Sequence, residues 1–234
     1  LFRSEKIYIV GNKAKEAGGG IFNASADSFS TLDKKLVFYG NTALATDESK
    51  FGLGGGFYND KSAGRVVVED AAFINNAADI GSAIFNAGDM YIGQKADGEG
   101  ATKGNYIVGN KKGSAIGNSG TLELIKGWEF GYTESAYPRN AGALWNQDEG
   151  IITTSVYVPP QGMPFSIIIR DAGYVDSDGN GVVDGAALHL QNKSAINTID
   201  ETSSLLENTI KYGVFTSNIG KRGGALYKDR KSVV

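Results

Sequence analysis

The sequence contains no cysteine, a single histidine, four prolines and two methionines in 234 residues. Without cysteine there can be no disulfide framework, no thiolate metal site and no cysteine nucleophile. A thiol-free chain also crosses an oxidising compartment without being trapped, which fits export. The lone histidine, His189, excludes metal sites built from several histidines, and any Ser-His-Asp triad would have to use it. No stretch of about 18 apolar residues exists, so no helix is expected to span a membrane. The formal net charge is only −3 and the basic residues are scattered, which excludes the broad positive field that a nucleic-acid partner requires. The chain opens at Leu1-Phe2-Arg3 without the charged and apolar regions of a signal peptide. It therefore reads as a segment of a larger protein, with any targeting signal or anchor expected outside it.

What the sequence does have is glycine, 33 residues, about twice the usual share of about 7%, and those glycines recur in a pattern. Small-residue triplets followed by an apolar residue, and then often by an aromatic residue and asparagine, appear as Gly18-Gly19-Gly20-Ile21-Phe22-Asn23, Gly54-Gly55-Gly56-Phe57-Tyr58-Asn59 and Gly81-Ser82-Ala83-Ile84-Phe85-Asn86. Further copies are Gly113-Ser114-Ala115-Ile116-Gly117-Asn118, Ala141-Gly142-Ala143-Leu144-Trp145-Asn146, Gly185-Ala186-Ala187-Leu188-His189-Leu190 and Gly223-Gly224-Ala225-Leu226-Tyr227-Lys228. A second motif precedes most of them, an apolar residue with asparagine three positions later: Ile9 to Asn12, Phe38 to Asn41, Phe73 to Asn76, Ile107 to Asn110 and Phe215 to Asn218. The fifth copy has Phe130-Gly131-Tyr132-Thr133 there, without the asparagine. Successive apolar anchors lie 36, 27, 32, 28, 44 and 38 residues apart. Helical repeats hold a nearly constant period, whereas a β-solenoid absorbs insertions as loops between strands. Short β-rich runs such as Leu36-Val37-Phe38-Tyr39, Arg65-Val66-Val67-Val68, Thr121–Ile125 and Ser166–Ile169 agree with strands, and only 201–211 reads equally as helix or loop.

Aligned, the copies form columns. Ile21, Phe57, Ile84, Ile116, Leu144, Leu188 and Leu226 make an apolar column that stacked parallel strands would bury and that no single repeat could bury alone. The small residues before it fit a tight corner, where a side chain would clash or φ must be positive. The asparagines at 23, 59, 86, 118 and 146, and those of the second motif, read as turn ladders, in left-handed backbone and with amides bonded from copy to copy; the alternative is a ligand-binding amide row. Between them lies an outward column of Phe22, Tyr58, Phe85, Gly117, Trp145, His189 and Tyr227. Its aromatic members are the candidate ligand strip, for stacking on sugar rings or docking a partner, unless inserted loops fold over them.

Phe73-Ile74-Asn75-Asn76 followed by Gly81-Ser82-Ala83-Ile84-Phe85-Asn86 resembles the repeat of chlamydial polymorphic outer-membrane proteins, in which an F-x-x-N motif pairs with a G-G-A-[ILV] motif. The resemblance spans nearly the whole chain, although only Gly223-Gly224-Ala225-Leu226 matches the second motif in full. It implies a right-handed β-helical passenger domain of an autotransporter, exported to the cell surface and serving adhesion to host cells.

Three features bear on chemistry. Asp176, Asp178, Asn180, Val182 and Asp184 occupy positions 1, 3, 5, 7 and 9 of an EF-hand-type loop with Gly181 at position 6, a pattern that can wrap a structural calcium ion. Position 12 is Ala187 in place of the bidentate glutamate, so the alternative is a polar hairpin. Scattered acids, Asp27, Asp47, Glu48, Asp70, Asp89, Asp148 and Asp171, would be the candidates for a carbohydrate-active β-helix, but their spacing pairs no two on neighbouring strands. The glycine stretches lack the lysine and serine or threonine of a phosphate loop.

The sequence thus predicts one all-β domain over 1–234, a right-handed parallel β-helix (solenoid) of about seven irregular rungs, least regular from about 147 to 213. The expected function is a non-catalytic, secreted or surface passenger of adhesin type at the bacterial outer membrane, presenting loops to a protein or glycan of a host or neighbouring cell. The alternatives are a polysaccharide lyase or hydrolase, and a structural spacer or filament subunit that self-associates end to end through unpaired strand edges.

Overall fold

Short runs of β-branched and aromatic residues bounded by glycine cannot carry a helix, and none forms among the described residues. The computed structural model describes residues 6–30, 35–45, 50–68, 71–93, 106–125, 128–131, 140–158, 163–173, 177 and 186–229. The protein is all-β, with its strands in three seven-stranded sheets and one four-stranded sheet. The first sheet orders Lys6–Val10, Lys35–Tyr39, Ala71–Ile74, Tyr106–Val108, Trp128–Phe130, Ile167–Arg170 and Gly213–Thr216. The second is short: Lys13–Ala14, Thr42–Ala43, Ala77–Ala78 and Lys111–Lys112. In the third lie Ile21–Asn23, Phe57–Asn59, Ile84–Asn86, Ser114–Asn118, Gly142–Asn146, Leu188–Gln191 and Leu226–Asp229. The fourth holds Phe29–Ser30, Val66–Val68, Asp89–Ile92, Thr121–Leu124, Ile151–Ser155, Ala195–Ile199 and Leu205–Leu206.

Apart from Ala195–Ile199 and Leu205–Leu206, consecutive strands fall in different sheets, and strands pair in parallel with the strand one repeat later, as in Lys6 with Lys35 and Ile21 with Phe57. This arrangement is compatible with a β-solenoid. One pair within the sheets is antiparallel, where Ile199 meets Leu205. The segment 201–211, readable as helix or loop, contributes turns and that short strand.

The registers confirm the columns. Ile21, Phe57, Ile84, Ile116, Leu144, Leu188 and Leu226 are successive Cα partners. Opposite them the first sheet supplies Ile9, Phe38, Phe73, Ile107, Phe130, Ile169 and Phe215, and the fourth supplies Val66, Met90, Leu122, Ile152 and Ile196. Apart from the exposed Leu226, these columns close on one contiguous core in which Phe38 and Phe73 stack at 4.6 Å. Burying each such side chain contributes roughly 1.5–3 kcal/mol. A single repeat has too little apolar surface to fold by itself.

Glycine serves the corner as expected. Gly54 turns it with φ of 64°, and a Cβ on Gly55 would run into the carbonyl oxygens of Ser82 and Ala77 in the next copy.

The asparagines form two ladders. In one, Asn23, Asn59, Asn86, Asn118 and Asn146 pass an Nδ2 hydrogen bond to the Oδ1 of the next at 2.8–2.9 Å. In the other, the chain of bonds runs from Asn12 through Asn41, Asn76 and Asn110 to Asn140. Two expectations are corrected here. The fifth copy does have its asparagine, since Asn140 takes the place behind a longer connection after Phe130. The ladder asparagines also do not adopt left-handed backbone: in the ladder of Asn12, Asn41, Asn76 and Asn110 the residue before each one does, at Gly11, Gly40, Asn75 and Gly109, whereas in the ladder that starts at Asn23 the left-handed positions are the corner glycines Gly18, Gly54 and Gly81. The left-handed residue turns the chain, which leaves the asparagine free to aim its amide along the ladder.

Asn76 is fully buried. Its Oδ1 accepts from the backbone N and Nδ2 of Asn41, and its Nδ2 donates to the Phe38 carbonyl and to Asn110 Oδ1. Replacing it by alanine strands several buried groups, so Asn76→Ala lowers the unfolding free energy by about 3 kcal/mol. Asn12→Ala, at the exposed start of the same ladder, costs about 1 kcal/mol or less. Urea denaturation of the two variants checks the contrast; equal losses would mean that the ladder does not carry the turn.

Candidate functional site

Strand alternation that buries Ile21, Phe57 and Ile84 turns the next residue outward, so the third sheet carries an external aromatic column. Phe22 and Tyr58 stack at 5.0 Å with an interplanar angle of 8°, and Tyr58 and Phe85 at 5.7 Å and 6°. Gly117 interrupts the column, and a Cβ there would press against the Phe85 ring and Ile80. Beyond the gap, Trp145 and His189 stack with parallel planes at 5.4 Å. His189 then meets Tyr227 at 5.0 Å, and the Arg222 guanidinium lies 4.4 Å from the Tyr227 ring centroid. The structure thus brings Phe22, Tyr58, Phe85, Trp145, His189 and Tyr227 onto one face, in two groups of three.

The rings are not uniformly open. Phe22 is 56% exposed while Phe85 is buried. Tyr58 is covered by a ring on both faces, between Phe22 and Phe85, whereas Phe22 stacks on one face only. Trp145 Nε1 is buried and has no hydrogen-bond partner among the described residues.

Beside the first group lies a cleft of about 540 Å³. Its floor combines Phe22, Tyr58 and Phe85 with a second outward row, Ala17, Leu53 and Ile80, whose members bridge in parallel from copy to copy. Phe51 and the exposed Lys50–Glu16 ion pair, 2.7 Å long, also line it. The lysine hydrogen bond holds the Glu16 carboxyl below its ordinary range. Sequence reasoning missed this row and Phe51. The available signal was the constant five-residue spacing of Ala17 to Phe22, Leu53 to Tyr58 and Ile80 to Phe85.

The Tyr58 hydroxyl donates to Asp60 Oδ2 at 3.2 Å. Burial, and then the adjacent Asp60 carboxylate, raise the Tyr58 pKa above its ordinary value. Asp60 itself is held low, chiefly by the Ser62 hydroxyl and backbone N–H.

The remaining acids do not converge. Asp89 binds Arg65 at 3.0 Å, and Arg65 also reaches Glu123 at 3.2 Å. This guanidinium spans three copies on the fourth sheet; burial opposes its charge, but the two carboxylates outweigh that and raise its pKa. Glu123 was not among the sequence candidates. Asp148 accepts from Asn192 Nδ2, Asp171 occupies a left-handed position with φ of 51°, and Asp27 lies in an exposed turn with its backbone N–H on Ser25 Oγ. Asp47, Glu48 and Asp70 lie outside the described residues, as do Asp176, Asp178, Asn180, Val182 and Asp184 of the calcium-type loop. Among the described residues no group of three or more His, Asp or Glu side chains could hold a metal ion.

Asp60→Asn removes the carboxylate beside Tyr58 but not the burial, so the Tyr58 pKa falls while staying above that of a free tyrosine, about 10. Spectrophotometric titration of tyrosinate absorbance checks this; an unchanged Tyr58 transition would mean that Asp60 does not act on the ring. In comparisons with known proteins, no family model, no curated protein and no solved structure matches the chain.

Proposed function

We propose that the chain is a right-handed parallel β-helix of about seven irregular rungs and acts as a non-catalytic binding module of a secreted or surface-displayed bacterial protein. It presents its outward aromatic face, as an adhesin-type passenger would, to a protein or glycan of a host or neighbouring cell. The parallel copy-to-copy registers support the rungs, and the resemblance to chlamydial outer-membrane repeats supports the surface location.

The observation that carries the binding reading is the cleft. Phe22 and Phe51, 56% and 66% exposed, stand beside a bed of ring edges and aliphatic side chains, and a contiguous exposed apolar patch marks an interaction site. With the aliphatic side chains of Ala17, Leu53 and Ile80 beside the rings, the cleft suits an apolar side chain of a protein partner.

Labelled chain is expected to bind intact animal cells or a neighbouring bacterial surface, and the double variant Phe22→Ala/Phe51→Ala to weaken that binding about tenfold or more. The same preparation incubated with pectic and other acidic polysaccharides is expected to release no reducing or unsaturated ends. Release of such ends would replace the binding module by a carbohydrate-active enzyme, and full binding by the double variant would move the site away from the cleft.

The proposal extends to the loop from Asp176 to Asp184, where the side chains of Asp176, Asp178, Asn180 and Asp184 and the Val182 carbonyl would hold a structural calcium ion. Millimolar calcium then raises the melting midpoint of the protein, and Asp178→Asn abolishes the increase. A midpoint indifferent to calcium leaves the loop as a polar turn.

A further inference from the structure

Between the strand Ile151–Ser155 of the fourth sheet and the strand Ile167–Arg170 of the first, the chain leaves the stack as a short arm. Tyr157 and Phe165 clamp it. Each donates its backbone N–H to the other's carbonyl, at 2.7 and 2.9 Å, and their rings meet edge to face at 5.6 Å. Both limbs are tied at the base, Val156 N–H to the Ile199 carbonyl and Ser166 N–H to that of Tyr212. Past the clamp stand Val158 and Met163, 58% and 85% exposed, and Met163 is the most exposed large apolar side chain among the described residues. Residues 159–162 lie outside the described residues.

The arm also carries no charge. No Asp, Glu, Lys or Arg occurs from Gly150 to Ile169, the longest such run in the sequence. A solvated loop gains nothing from two exposed apolar side chains, whereas the centre of a protein interface is depleted of charge and enriched in methionine and aromatic residues. The cleft lined by Phe22, Phe51, Tyr58 and Phe85 has the matching character. Its two charged groups, Lys50 and Glu16, are paired with each other at 2.7 Å, so it meets an uncharged arm with no net charge of its own. A flexible thioether packs well against aromatic rings. The arm rises from the fourth and first sheets in the fifth and sixth copies, whereas the rings of the cleft stand outside the third sheet in the first three. One chain therefore carries both halves of the match, on different sides of the stack.

The geometry points to association of two copies of this chain by insertion of the Met163 side chain of one into the cleft of the other, against Phe51. The inference rests on the reading of the cleft as a binding site and names its occupant. An arm tip of this size buries less than about 1,200 Å² in all, the range of weak, transient contacts. Copies displayed side by side on a surface turn such contacts into avidity.

Met163→Glu and Phe51→Glu place a carboxylate on either side of the contact, at exposed positions that the fold does not need buried. In analytical ultracentrifugation the mass of the unmodified chain is expected to rise above that of the monomer as its concentration approaches millimolar, and each variant alone to stay monomeric. Their equimolar mixture is expected to associate again, because the Phe51→Glu chain keeps its arm and the Met163→Glu chain its cleft. The chain has no cysteine, so Met163→Cys and Phe51→Cys each carry a single thiol. Air oxidation of their mixture is expected to give a disulfide between positions 163 and 51, and either variant alone to give far less dimer. An unmodified chain that stays monomeric at millimolar concentration overturns the inference; if Phe22→Ala/Phe51→Ala still loses cell binding, the cleft reading survives that result. Self-association undiminished by Met163→Glu, or a disulfide formed by Met163→Cys alone as fast as in the mixture, overturns it too. Sedimentation of the monomeric chain with phosphatidylcholine vesicles, lost in Met163→Glu, overturns it in favour of a membrane as the partner of the arm.

Discussion

Stacking like on like, one copy above the next, is the constraint on which the rest of this protein depends. A parallel pair tolerates no slip, because a shift of one residue would turn every buried side chain outward. The asparagine ladders enforce the register with directional bonds. Asn41, Asn76 and Asn110 are fully buried, and each Oδ1 gathers two donors from the copy before it while Nδ2 satisfies a backbone carbonyl and the next amide. A buried amide out of register would strand all of these groups at once. Close approach at the glycine corners lets the copies come near enough for the amides to meet.

The same register that aligns amides inside aligns rings outside. Phe22, Tyr58 and Phe85 stack because the asparagines next to them do, and the external column is as much a consequence of the ladder as the core is. Where the ladder lapses, the neighbouring columns change character. After Asn146 the amide place passes to Leu190 and Lys228, and on the facing sheet the apolar positions Val68, Ile92 and Leu124 give way to Thr154 and Thr198. Those two hydroxyls lie 3.1 Å apart, and Thr198 also donates to the Thr209 carbonyl, so the interior there is held by a small polar network. This falls inside the 147–213 region that the repeat spacing marks as irregular.

Repetition is what made so much of this legible. Seven copies of one short motif align by eye, and stacked copies must place equal residues above one another, so columns in the alignment become columns in space. Insertions defeated that reasoning. Asn140 is hidden by the residues between it and Phe130, since the other copies place the asparagine three residues after the apolar residue. The cleft was half hidden for a similar reason, because Phe51 and Lys50 come from a connection with no counterpart in the other copies. The left-handed corner falls one residue before the asparagine, a shift the sequence hides because glycine precedes asparagine at 11, 40 and 109 and both residue types suit that backbone.

The sequence by itself determined the strand class, the identity of the buried and outward columns and the ladder pairing, because these follow from a local motif and its recurrence. Only the tertiary structure decided that Phe22, Tyr58 and Phe85 stack face to face, as do Trp145 and His189, and that Arg65 gathers Asp89 and Glu123 from separate copies. Those depend on side-chain rotamers and on which group lies one copy above, a distance of about 4.8 Å in space but some thirty residues along the chain, as from Asn76 to Asn110.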